Sequence, residues 1–530
     1  MSLIISRIAT AAGLLFSLQA VAAAPTAALA PAAAPATTYP LNARNALEVD
    51  HLGLYPAAGF RQATGNCTDC AASRQSLWYF RDDIVAVPAN PRSGLPSPVW
   101  LGSSLQVDGA RILADGSVRS AEGATAPLHL TARLASNRAW WDAKTTGFFA
   151  QRDVRLRGSA TEDGKFVART VWPRDFVLTG ADTNPLQPSE TLTTLARQMG
   201  GNYQTRVLWQ RHPNERWAGK AAIGIMLNGA QGDDDEAHGG HFAIATGIVG
   251  KGGEWSDWLV NNFYNLDSVS EKGIVAARVP MDNYLMDINS GQQFYRPSGM
   301  LVAVLKDGRT ASAFQSRIDA VFERFYRHEF TYRHAAANCA GISIDAFREL
   351  GWNVPTRGAT GPLKAIGAYA YLAATEMSLS SGRAIYDYLT EEQTRLYPAV
   401  AFDALGSDLM GLVGAGRQVG ARRVLTDFER QLQNDVEALV WVQIPQVPST
   451  RAAGMPPVFS FDEFMQRAPS DRANWQIVPV PPRPFPAELR DPGSAVPADP
   501  SPVPMPVAGV AATGVFGAGL FWRRRRRRGS

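Results

Sequence analysis

With 530 residues, 45% of them apolar and 19% charged, the chain has room for two or three domains with sizeable cores and lacks the composition of a disordered polymer. Its formal charge of +4 is an effect of its ends: Arg7 and the six arginines 523–528 carry seven positive charges, so the remainder stands at −3. No segment interleaves basic residues with aromatics, and nucleic-acid binding is not expected.

Residues 1–23 have the build of a secretory signal peptide, with one early charge, an apolar run from Ile8 to Ala22 and small residues at its end. An Ala/Pro-rich linker follows at 24–43. In an oxidising compartment Cys67 and Cys70 are candidates for a local disulfide, which leaves the third cysteine, Cys339, without a partner in the sequence.

Residues 44–180 read as a β-rich accessory domain. Leu105-Gln-Val-Asp-Gly, Leu128 to Leu134, Val154-Arg-Leu-Arg-Gly and Lys165 to Val171 alternate with period two between polar turns. Trp140, Trp141, Phe148 and Phe149 are candidates for a sugar- or lipid-binding surface, although core packing is the commoner fate of aromatics in such strands.

Residues 181–380 form the second unit. A helical pattern runs from Thr191 to Met199, Ala221 to Asn228 reads as a strand, and an acidic loop, Asp233 to Gly240, leads into His241. His241 to Val249, the turn Gly250-Lys-Gly-Gly253 and Asp257 to Asn265 read together as a β-hairpin. A turn centred between Lys251 and Gly252 sets Asn262 opposite His241, and a looser turn brings Asn265 there instead.

After a strand at Gly299 to Leu305, Phe314, Ile318, Val321, Phe322 and Phe325 mark the buried face of a helix. Asn338 then caps a second helix with Cys339, Ile342, Ala346, Phe347 and Leu350 on one face and Gly351 at its end. Cys339 thus falls in a first helical turn, where unpaired N–H groups are expected to lower the thiol pKa and, with Asn338, to offer oxyanion donors. A strand-edge histidine and a helix-terminal cysteine are the two halves of a thiol hydrolase, which needs no cofactor. The rival chemistry is a metal held by His238 and His241 beside Asp233 to Glu236.

Residues 381–477 read as a helical and mixed extension, with helices at Ala384 to Leu396 and Val424 to Leu439 and a strand from Val440 to Ile444. A Pro-rich linker at 478–506 precedes a tail at 507–530, where an apolar stretch to Trp522 runs into Arg523 to Arg528.

The order of parts, Gly240-His241-Phe-Ala-Ile on a strand, a second strand with a polar residue, a helix, and Asn338-Cys339 on a helix, resembles the circularly permuted branch of the papain-like superfamily. That branch includes NlpC-type peptidases, lecithin–retinol acyltransferase-like proteins and bacterial periplasmic domains with Gly-His and Asn-Cys motifs. The resemblance covers roughly residues 191–351. It implies an α+β fold in which a permuted papain-like domain follows the β-rich one, with Cys339 as nucleophile, His241 as general base and acid, and Asn262 (or Asn265) as the orienting residue. The expected activity is cleavage or transfer of an amide or ester acyl group, in a peptide, peptidoglycan or lipid. A binding or structural protein that keeps the fold without turnover, or a metal-dependent hydrolase using His238 and His241, are the alternatives.

The tail, Val503-Pro-Met-Pro506 followed by an apolar stretch and arginines, is similar to PEP-CTERM sorting signals, with Met505 where Glu is usual. That resemblance implies an exosortase-type processing enzyme and a protein of the Gram-negative periplasm or cell envelope, anchored at least transiently in the inner membrane.

Overall fold

The computed structural model describes the chain from Leu105 to Arg467, apart from residues 131–140, 161–165, 181, 214, 232–238, 264–275, 289–290, 327–331, 333–334, 336, 416–422 and 451–453, together with seven short strands between Thr37 and Leu101. The signal peptide, the first linker apart from the strand Thr37–Tyr39, the Pro-rich linker, the C-terminal tail, Cys67, Cys70, Trp140, His238 and Asn265 lie outside the described residues. Among the described residues no helix is long and apolar enough to cross a membrane.

The fold is α+β, and the two largest of its described sheets have six and seven strands. The smaller sheet has six strands in the spatial order Thr125–Pro127, Ser117–Arg119, Leu105–Ile112, Asp153–Ala160, Phe166–Pro173 and His129–Leu130. The larger sheet has seven antiparallel strands: β1 (Gln204–Gln210), β2 (Ala221–Asn228), β3 (His241–Ile248), β4 (Leu259–Phe263), β5 (Ala276–Pro280), β6 (Ser298–Leu305) and β7 (Val436–Ile444). Their spatial order is β1-β7-β6-β2-β3-β4-β5. The helices that matter for the site are α1 (Met281–Met286), α2 (Arg309–Tyr326), α3 (Cys339–Glu349) and α4 (Pro398–Leu412).

β2 and β6 are almost wholly apolar and β7 is apolar from Ala438 to Val442, because these strands lie inside the sheet and are buried along their length. α3 packs on β3, α4 on β2 and β3, and α2 on β2, β3 and β5. The helix contacts are aromatic and tight: Phe347 of α3 stacks on Phe314 of α2 with ring centres 4.3 Å apart, and Gly406 of α4 leaves room for Leu192 and Leu301, which a methyl group there would meet at 2.5 and 3.2 Å.

β7 corrects the expected organisation. Val436 to Leu439, read from the sequence as the end of a helix, are strand, and the helix stops at Asp435. The strand inserts between β1 and β6, so the extension read at 381–477 contributes a strand to the sheet that carries His241. One continuous core runs from Ala110 in the smaller sheet to Phe459. The described aromatic candidates fall into that core: Phe148 and Phe149 lie on a short helix, Ala143–Phe149, not on a strand, and the Trp141 ring stacks on the buried Phe149 ring at 5.0 Å.

The two sheets are clamped through α1. Arg157 of the smaller sheet is an ion-pair partner of Asp282 at 2.6 Å, and Arg169 of Asp287 at 2.7 Å, all four side chains being buried. Asn283 Nδ2 donates to Thr170 Oγ1 at 2.9 Å, and Ile288 N–H to Arg169 C=O at 2.9 Å. Burial pushes the Asp282 carboxyl up to about 6, against the opposing pull of Arg157. The folded state therefore holds this proton more tightly than the unfolded chain, and the associated stability is present at acid pH and lost as pH rises from about 4 to 6. Thermal melts of the protein and of Asp282→Asn, compared at pH 4.5 and 7, are expected to show this pH-linked loss in the parent and its absence in the variant.

Candidate functional site

The site forms where β3 begins. Gly240 has φ +78°, and a Cβ there would meet Asn228 O at 2.5 Å, so the residue ahead of His241 must be glycine for the strand to enter beside β2. His241 is 4% exposed, and its Nε2 lies 2.9 Å from Asn262 Oδ1. An amide oxygen only accepts, so this contact places the ring proton on Nε2 and leaves Nδ1 as the basic nitrogen.

The hairpin register differs from the expected one by two residues. β3 and β4 pair Ile244 with Asn261 and Thr246 with Leu259, because the turn expected at Gly250–Gly253 forms, with Gly253 N–H donating to Gly250 C=O at 3.0 Å, but sits inside a longer connection that buries Trp255 and Trp258. A shift of two preserves the face, so Asn262 reaches His241 diagonally rather than from directly opposite.

Around the ring, β2 and α1 supply a polar wall. Asn228 is the register partner of His241 and donates through Nδ2 to Ser298 Oγ at 2.8 Å. The Tyr284 hydroxyl donates to Asn228 Oδ1, and the Tyr284 ring is tilted against the imidazole with centres 6.2 Å apart. The clamp residue Asp282 and this tyrosine share the same short helix, so the accessory sheet supports the wall behind His241.

Cys339 opens α3. Asn338 caps it, its Oδ1 accepting from Ala340 N–H at 3.0 Å and Gly341 N–H at 2.8 Å, while its Nδ2 donates to Leu396 C=O at 2.9 Å. A cap of this kind stabilises a helix by about 1 to 2 kcal/mol. The thiol sits against β3: the backbone N–H groups of Phe242 and Ala340 and the Tyr332 hydroxyl all favour the thiolate, as does the charge of Arg296. Phe242 directly follows His241, so the thiol touches the strand residue next to the histidine that Asn262 holds.

Two expectations about this turn are corrected. Cys339 is 5% exposed, and burial outweighs the hydrogen bonds, pushing the thiol up rather than down. The first-turn amides are also occupied: Ala340 and Gly341 by Asn338 Oδ1, Ile342 by Asn338 C=O, and Cys339 N–H by the Tyr332 oxygen at a long 3.4 Å. Asn338 is spent as a cap and as the donor to Leu396, so the oxyanion donor best placed for exchange is Cys339 N–H, whose present bond is the weakest.

Arg296, Tyr332, Asn228 and Tyr284 were not singled out from the sequence. Each lies in a loop or on a face already counted as core, and no periodicity marks a polar residue that turns inward. Among the described residues no cluster of three or more His, Cys, Asp or Glu side chains is arranged to hold a metal ion; the acidic run 233–236 and His238 lie outside them. Comparison with protein-family models, with curated proteins and with solved structures returns no match.

Proposed function

We propose that this chain is an exported, envelope-associated cysteine hydrolase or acyltransferase with a permuted papain-like arrangement, acting on an amide or ester acyl group of a peptide, peptidoglycan or lipid. The observation that carries the reading is the contact of the Cys339 thiol with Phe242 N–H, one residue from an imidazole whose Nε2 is held by Asn262. Histidine precedes cysteine in the chain and the nucleophile stands at a capped helix terminus, which supports the permuted order of parts.

Because burial keeps the resting thiol protonated, His241 acts at the moment of attack. Its Nδ1 takes the Sγ proton as sulfur bonds to the acyl carbon, and the carbonyl π electrons move onto oxygen, to which Cys339 N–H donates a hydrogen bond. Collapse expels the leaving group, to which His241 returns the proton, and leaves a thioester. Water or a second nucleophile, deprotonated by the same imidazole, then attacks the thioester carbon; the C–S bond breaks and His241 returns the proton to the Cys339 sulfur. Asn262 and the Asn228–Tyr284 wall hold the ring in orientation throughout.

The burial of Cys339 favours one other reading, an exported scaffold that keeps the fold without turnover. Incubation with p-nitrophenyl butyrate separates the two. An enzyme forms a butyryl adduct on Cys339, seen by peptide mass spectrometry, whereas a scaffold gives no adduct on that residue.

A further inference from the structure

We propose that Arg296 is the electrostatic partner of Cys339: its buried guanidinium balances the negative charge that attack gathers on sulfur and on the acyl oxygen. The inference rests on the function proposed above and adds to it a residue that acts through the nucleophile.

Arg296 stands in the short connection ahead of β6 and is 4% exposed. Its Nε donates to Gln292 Oε1 at 3.0 Å and its Nη1 to Gly229 C=O at 3.1 Å, both neutral acceptors, and no carboxylate among the described residues pairs with it. Burying a guanidinium without a counter-ion is costly, a cost that the other buried arginines among the described residues avoid: Arg157 has Asp282 and Arg169 has Asp287. Gly229 follows Asn228, which faces His241 across the β2–β3 register, so the guanidinium is fixed at the end of the sheet where the thiol meets Phe242 N–H. Its charge lowers the Cys339 pKa, against the larger effect of burial. Among the described residues the other titratable group that acts on the thiol is Tyr332, which hydrogen-bonds it; His241 directly precedes Phe242, whose N–H meets the sulfur. Charged side chains of α3 are turned to other partners: Asp345 to Arg395, Arg348 to Glu392 and Glu349 to Arg317. Among the described residues Arg296 is thus the cation whose charge acts on the thiol when Sγ–H gives its proton to His241 and the charge passes from sulfur to the tetrahedral oxygen.

The test is the rate of iodoacetamide labelling of Cys339 in the full chain from pH 6 to 10. Arg296→Gln and Arg296→Met, checked for folding by thermal melts, are expected to slow labelling at pH 8 about tenfold and to move the rise in rate up by about one pH unit. Arg296→Lys is expected to stay within about threefold of the parent, since a point charge suffices. A folded neutral variant that labels with the parent's rate and pH profile overturns the proposal, and so does a folded Lys variant that falls as far as the neutral ones. Failure of the proposed function is read separately, as the absence of a butyryl adduct on Cys339 in the parent protein. A missing adduct with a shifted labelling profile rejects the enzyme and retains the Arg296–Cys339 coupling.

Discussion

Cys339→Ser is expected to remove ester turnover by on the order of 10³-fold or more while leaving the fold intact. The substitution exchanges sulfur for oxygen at nearly constant volume, so the packing against β3 and the Asn338 cap persist. What changes is the nucleophile. A hydroxyl is far less acidic than a thiol, and the surroundings of Cys339 already oppose ionisation, since burial outweighs Phe242 N–H, Tyr332, Ala340 N–H and Arg296. A serine alkoxide in the same environment is further out of reach of the His241 imidazole. Steady-state hydrolysis of p-nitrophenyl butyrate with a thermal melt as control measures both halves of the expectation. Residual activity close to that of the parent would assign the turnover to another residue.

Arg157→Met is expected to destabilise the protein by about 3 to 5 kcal/mol, because it leaves Asp282 buried without its cation. The effect should reach the site. Asp282 and Tyr284 lie on the same six-residue helix, and Tyr284 both donates to Asn228 and flanks the His241 ring. Loss of the clamp therefore loosens the wall that holds the imidazole, and kcat should fall in the fraction of variant that remains folded. Replacing both partners, Arg157→Met with Asp282→Leu, is expected to recover most of the stability, since a buried pair exchanged for apolar residues of similar volume is often neutral. Urea denaturation of the single and double variants tests this. Equal destabilisation in the single and double variants would mean that the pair contributes by shape alone.

Much of the candidate site was legible in the sequence because the local rules there have few solutions. Asn338 before an apolar face is a helix start whatever the rest of the chain does, and Gly240 ahead of His241 marks a strand entering where a Cβ does not fit. The hairpin register was misjudged, yet Asn262 still faces His241, because the shift was an even number of residues.

What escaped the sequence is non-local. Val436-Glu-Ala-Leu439 follows Phe428 and Leu432 at helical spacing, and only the β-branched run Val440-Trp-Val extended backward makes it a strand. That it enters between β1 and β6 depends on tertiary pairing, which no local pattern encodes. Arg157, Arg169 and Arg296 look like surface residues in sequence, and their burial follows from partners more than 60 residues away. The direction of the thiol's pKa was misjudged for the same reason: the helix terminus is visible locally, whereas the apolar material packed over it is not.

The measurement that bears most directly on the central claim is the alkylation rate of Cys339 by iodoacetamide in the native protein, compared with that of His241→Ala at pH 7. A base within reach of the thiol gives native-state labelling that falls by about tenfold or more when the imidazole is removed. Labelling that proceeds only after denaturation, or at the same rate in both proteins, would contradict the pairing of Cys339 with His241.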